Sequence, residues 1–210
     1  MLRLRVESSS LISQAAVRGN VMGNAREAIL QAAKVAAQRH GYSGINFRTI
    51  GEEVGVKNAS IYYHFPSKAD LGAAVAERYW QDTSRVLLEI SDSNADPVRR
   101  LEIYPSIFRV SLEDGYRLCL SSFMAAEYED LPEEVKREVR AFADINVKWL
   151  TQVLEDVGLG SLENCERRAR AIYTAIAGAQ LIARTRLDIA QFDDLILTYR
   201  ESGLIPAARV

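Results

Sequence analysis

Apolar positions recur along most of this chain at intervals of three and four residues, and almost nowhere at intervals of two. That spacing lines one face of a helix, whereas alternation would mark strands. Ile29, Ala32, Ala33 and Ala36 predict the buried stripe of a first helix, opened by Asn24 as its N-cap and closed by Gly41. Asn46 is placed to cap a second, short helix with Phe47, Ile50 and Val54 on one face. Gly55 interrupts it, and a third run from Asn58 to His64 turns Ile61 and Phe65 inward. Two short helices joined by a glycine-containing turn of about three or four residues form a helix-turn-helix. Pro66 follows, and Ser67 with Asp70 three residues on is a capping-box-like start for a helix reaching about Ile90.

Beyond a break at residues 91–97, the pattern predicts helical segments over Val98–Glu113, with a kink or turn at Pro105, and over Tyr116–Tyr128. Asp130, Glu133 and Glu134 place negative charge where a helix running to Val157 begins. Gly158 and Gly160 separate it from two final helices, about Leu162–Arg186 and Asp188–Tyr199. This G-x-G lacks a third glycine and a preceding strand, so it reads as a loop and not as a dinucleotide site. The expectation is an all-α chain of about nine helices in three parts. These are a flexible arm over residues 1–23, a helix-turn-helix unit over 24–70, and a helical body over 71–210.

Composition changes this picture little: 210 residues, 48% hydrophobic and 26% charged, suffice for a sizeable core. Charge distribution changes it more. The net charge is −2, yet residues 1–70 carry nine Lys/Arg against five Asp/Glu, and the remainder carries 17 against 23. A basic first third on an acidic remainder suits a head that meets a polyanion and a body that does not, although an excess of four charges also arises by chance. Arg3, Arg5 and Arg18 in the arm are consistent with a minor-groove contact, or with a start at Met22 that leaves the arm out. Two distant cysteines, Cys119 and Cys165, argue against a disulfide scaffold and for a reducing cytoplasm, and no apolar run reaches a membrane span. No nucleophile elbow, phosphate loop or H-E-x-x-H is present. His40, His64 and the cysteines are too scattered for a zinc site, so an enzyme, a cofactor and a metal are not expected.

The outer face of the third run, with Lys57, Asn58, Ser60, Tyr62, Tyr63 and His64, is nearly all hydrogen-bond donors. That is the inventory for phosphates and base edges in a major groove. The lines AREAILQAAKVAAQRHGY, FRTIGEEVGV and ASIYYHFPSKADL carry a resemblance, over residues 25–71, to the DNA-binding domain of the TetR family of bacterial repressors. The resemblance implies that Asn58 and Ser60 meet bases and that Arg48 forks onto a guanine or a phosphate, while Tyr62, Tyr63, His64 and Lys68 hold the backbone. One departure is Lys57, where the family often has Ser or Thr: lysine cannot cap, so it is free for a phosphate and Asn58 is left to supply the cap. Tyr62 also fits simple packing, and His64 also fits a helix-end role on the last carbonyls.

The same resemblance implies a homodimer on a palindromic operator, vacated when a small-molecule inducer binds the body. Ala171, Ala175, Gly178 and Ala179 form a small-residue seam, and Ile182, Phe192, Leu195 and Ile196 add apolar area for a two-fold interface through the last two helices. An internal seam is the alternative. Tyr104, Phe108, Phe123, Phe142, Trp149 and Tyr173 are candidates for an inducer pocket or for plain core. Cys119, followed by Glu127 eight residues on, is similar to the sensing cysteine of electrophile-responsive members, with Arg117 near enough in sequence to favour a thiolate. A buried structural thiol fits Cys119 as well. The rival function is a helical small-molecule binder or enzyme whose helix-turn-helix is only structural.

Overall fold

A computed structural model describes residues 7–207, with side chains from Asn24 onward. Among the described residues there are ten α-helices, two short 3-10 turns and no strand. The head consists of α1 (Glu7–His40), α2 (Phe47–Val54) and α3 (Asn58–His64). The connecting helix α4 (Lys68–Ser93) leads into the body: α5 (Pro97–Ile103), α6 (Ser106–Glu113), α7 (Leu120–Ala126), α8 (Glu133–Val157), α9 (Leu162–Arg186) and α10 (Ile189–Glu201).

Several boundaries differ from the sequence reading, each for a local reason. Helix α1 runs from Glu7, so Asn24 is a helical residue and not the cap expected of it. Gly19 and Gly23 keep their backbone N–H groups and therefore weaken this helix without cutting its hydrogen-bond ladder. Of the expected arm, residues 1–6 lie outside the described residues and the backbone of 7–23 belongs to α1. Pro105, where a kink or turn was expected, divides its stretch into α5 and α6, because it offers no N–H to the carbonyl four residues earlier. Other stops agree with the reading. Ser67 Oγ accepts from Asp70 N at 3.1 Å and donates to its carboxylate at 2.7 Å, and Gly55 ends α2 at φ 75°.

Two hydrophobic clusters form. The body core joins Leu101, Tyr104, Phe108, Phe142, Leu150 and Ile172 among others. The head core is built on Ile29, Ala33, Ile50, Ile61 and Phe65, and it continues past the expected boundary at residue 70. Leu71 and Val75 of α4, Leu120 and Met124 of α7, and Val135 and Val139 of α8 all belong to it. Apolar burial therefore makes head and body share a wall: α4 and α8 run through both clusters, and α7 joins the head cluster from the body side.

Polar groups fix that wall. Gln180, fully buried on α9, accepts from Cys119 N at 2.8 Å and donates to Phe108 O at 2.7 Å, tying the entry of α7 to α6. At the other end of α7, a Glu127 carboxylate oxygen accepts from Tyr42 N at 2.5 Å, in the turn after α1. Gly41, at φ 68°, lies against this carboxylate, and any Cβ there would overlap it.

The dimer seam divides. Ala179, Phe192 and Ile196 are buried within their own chain's core, a correction to their expected place at an interface, because they lie on the inward faces of α9 and α10. Ala171, Gly178 and Ile182 are exposed on the outer face, and Ala175 and Leu195 are half-buried. Leu181 and Leu197, which the sequence reading passed over, are 50% and 52% exposed beside them.

The packing at Gly41 generates a stability prediction. Gly41→Ala, which adds both a strained left-handed alanine and a displaced Glu127, should lower unfolding free energy by about 1–3 kcal/mol in urea titration. Glu127→Ala in the same background should recover part of that loss; an unchanged midpoint for Gly41→Ala would contradict the packing.

Candidate nucleic-acid interface

The interface begins with the way α2 is started. Asn46 Oδ1 accepts from Arg48 N at 2.9 Å and Thr49 N at 3.2 Å, as its spacing predicts. Helix α2 then crosses α3 at a close approach: a Cβ on the buried Gly51 would sit 2.9 Å from Val56 O and 3.1 Å from Asn58 Oδ1. Only a residue without a side chain permits that separation, and Gly51 was missed because a glycine inside a helical pattern gives no signal of what faces it. On the inward side Ile50 and Ile61 are 1% and 0% exposed, so the register of α3 against α2 is fixed by apolar burial.

The outward side of α3 is open. Lys57, Asn58, Tyr62 and Tyr63 are exposed, while Ser60 and His64 are half-buried. Tyr62 packs edge-on against Phe47 at 4.8 Å while remaining 55% exposed, which combines the packing and contact readings. Tyr63 is 70% exposed and edge-on to His64 at 5.2 Å. The expected capping role of Asn58 is not realised. Lys57 occupies the N-cap position, makes no side-chain cap, and leaves Asn58 as the first helical residue.

Arg48 is exposed and pairs with Glu52 at 3.1 Å, an i,i+4 contact worth a few tenths of a kcal/mol that a phosphate or guanine readily outbids. Lys68 is more constrained. Its Nζ donates to Ser43 O at 3.3 Å and lies 4.6 Å from the centre of the Tyr42 ring. Burial lowers its pKa, opposed by the charge of Glu127. The ammonium thus holds the turn that Glu127 also holds, and reaching a phosphate means sharing those contacts.

In the body, the aromatic candidates separate into two groups. Tyr104, Phe108 and Phe142 are fully buried and pack as core, a correction to their place in a pocket, because they fill the space between α5, α6 and α8 themselves. Tyr104 donates to Asn146 Oδ1 at 2.8 Å and stacks on Trp149 at 5.5 Å, and Trp149 Nε1 is spent on Ser91 Oγ. Phe123 and Tyr173 instead line an apolar groove of about 640 Å³ between α7, α8 and α9, with Leu118, Val139 and Leu181.

Cys119 is 1% exposed, and burial pushes its thiol above the ordinary range. The expected help from Arg117 is absent: that guanidinium pairs with Asp114. Glu127 likewise turns to Tyr42 N. Tyr79, Tyr104 and Tyr173 surround the same centre, each raised chiefly by burial. The thiol is therefore a protonated core group at neutral pH.

A family profile described as "Bacterial regulatory proteins, tetR family" matches residues 29–75. The crystal structure of a TetR-family transcriptional regulator from Agrobacterium tumefaciens superposes with TM-score 0.80 at 30% identity, over 86% of this chain and 98% of that one. The nucleoid occlusion factor SlmA of Photobacterium profundum is 33% identical over 96 residues, 45% of this chain and 49% of that protein. The match thus spans about half the length of that curated relative. The transcriptional repressor NemR of Escherichia coli is 25% identical over 169 residues, 76% of this chain and 83% of that protein. No helix among the described residues is long and apolar enough to cross a membrane.

The state of Cys119 is directly measurable. A raised thiol pKa keeps the native state protonated where the unfolded chain ionises, so its contribution to stability is present below the unfolded thiol's pKa and is lost as pH rises through the folded one. In a Cys165→Ala background, native labelling by a maleimide at neutral pH should run at least about tenfold slower than in urea, and accelerate only above the usual thiol range. Labelling at the unfolded rate would contradict a protonated, buried Cys119.

Proposed function

This chain belongs to the TetR family of bacterial regulators, and on that footing we propose that it represses transcription as a cytoplasmic homodimer that leaves a palindromic operator when a small molecule binds its body. The observation that carries the reading is the two-sidedness of α3, with Ile61 sealed inward and Lys57, Asn58, Tyr62 and Tyr63 turned outward. A helix held that firmly by one face presents its donors in fixed geometry, which direct readout of base edges requires.

The roles divide by chemistry. Arg48, Asn58 and Ser60 read bases, while Lys57, Tyr62, Tyr63, His64 and Lys68 position the phosphates. Two copies related by a two-fold axis place their α3 helices in successive major grooves about 34–36 Å apart. The outer faces of α9 and α10 supply that axis, with Ala171, Ala175 and Gly178 allowing close approach beside Leu181, Ile182 and Leu197. Gly178 and Leu181 also line the apolar groove, which therefore opens onto this interface. The inducer is a predominantly apolar molecule held in the groove lined by Phe123 and Tyr173. It acts by shifting α7, since α7 forms one wall of the groove and part of the head core. The purely structural reading of the helix-turn-helix is disfavoured by the exposure of its donor face, and the family membership supports regulation over catalysis.

Filter binding to genomic fragments across a salt series tests this. The wild-type chain should select a discrete site with steep loss of affinity as salt rises. Lys57→Ala should weaken all sequences alike and reduce the salt slope by about one, whereas Asn58→Ala should cost about 1–3 kcal/mol and relax preference at a single base position. Binding that is equal on all fragments, or unmoved by either substitution, would overturn the reading.

A further inference from the structure

We infer that the pocket at the seam of head and body, between the C-terminal ends of α1 and α9 and the turn before α7, binds a small oxyanion carried by a phosphate or a carboxylate group. The pocket is an open depression of about 330 Å³ lined by Arg39, His40, Arg117 and Arg184, with no acidic residue in its wall. It lies apart from the apolar groove and from the exposed face of α3, and goes beyond the regulator reading above.

Four features point to an absent anion. Like charges converging on one volume repel one another unless an opposite charge sits among them. Arg117 is the most enclosed, its side chain 13% exposed; one nitrogen pairs with Asp114, while Nε is buried without a hydrogen-bond partner. That Nε is closed to solvent, so an anion in the pocket meets only the part of the guanidinium that lines it, while the unpartnered N–H leaves the group under-satisfied. The side chains of Arg39 and His40 have no hydrogen-bonded or ion-paired partner among the described residues. Finally, the two non-glycine residues with left-handed backbone, Tyr116 at φ 55° and Leu187 at φ 52°, both line this pocket. Backbone strain of that kind persists where surrounding structure imposes it, and it collects at ligand sites.

Compensation of helix C-termini accounts for part of the cluster. Arg184 donates to Gln38 O at 3.4 Å and Arg39 O at 3.3 Å, the last carbonyls of α1. Those bonds are long, and the half-charge at each of two helix ends together with Asp114 does not balance three guanidiniums. An oxyanion completes the balance and competes for Arg184, which also lies 5.1 Å over the ring of Phe123. Its occupancy is therefore felt on both the head and the groove side of α7.

Isothermal calorimetry of the full chain with inorganic phosphate and with citrate, at fixed ionic strength and without DNA, tests the site independently of any operator. The expected result is saturable one-to-one binding of at least one of them, weakened about tenfold by Arg117→Gln or Arg184→Gln. Arg39→Gln, at an exposed side chain that leaves the fold untouched, should weaken it in the same direction. Stronger phosphate binding names a phosphate ligand and stronger citrate binding a carboxylate; either supports the site. No saturable heat with both anions, no effect of Arg39→Gln, or an equal loss in Arg137→Gln on the remote face of α8 would overturn it.

Discussion

The position of the DNA-facing helices depends on how one turn of backbone is held. Residues 38–42 end the first helix and are fixed to the body by ionised side chains from two directions. Glu127, leaving α7, takes the Tyr42 amide, and Arg184, on α9, reaches the carbonyls of Gln38 and Arg39. A hydrogen bond with one ionised partner is stronger than a neutral one and more dependent on geometry, and the short Glu127–Tyr42 bond carries more of this hold than the long ones from Arg184. Small movements in the body therefore act on the head through a few directional contacts in addition to apolar packing.

Helix α7 makes that arrangement consequential. It is a seven-residue helix with its entry tied by Gln180 and its exit by Glu127. Leu120 and Met124 face the head core, while Phe123 faces the apolar groove and carries Arg184 above its ring. Packed interiors respond to a displaced side chain by switching arrangement and not by deforming smoothly. On the proposed mode of regulation, a ligand that moves Phe123 disturbs both anchors at once. The coupling needed to vacate an operator, typically about 1–3 kcal/mol, is of the size that weakening one or two such hydrogen bonds supplies.

Local chemistry was legible in the sequence wherever the determinants were local. Asn46 and Ser67 cap as their spacing says, Gly55 ends its helix, and Ile61 with Phe65 faces inward. The donors of α3 stand on the open side because a period of 3.6 leaves them nowhere else to point. The pairing of Arg117 with Asp114, three residues back, is local and was within reach of the sequence. What depended on a partner far along the chain was not legible. Nothing near residue 41 announces a carboxylate 86 positions away. The seam on α9 shows the same limit: periodicity marks an apolar stripe, but only packing assigns Ala179 to the core and Gly178 to the surface. Asn58 failed as a cap because Lys57 took the extended backbone that a cap requires.

The most direct test of the account is Glu127→Ala, with amide exchange at Tyr42 and affinity for a selected DNA site measured on the same preparation. If the carboxylate seats the head, exchange protection at Tyr42 falls and affinity changes by about fivefold or more, while the body core keeps its protection. Lost protection at Tyr42 with DNA affinity unchanged would show that the head does not take its position from the body.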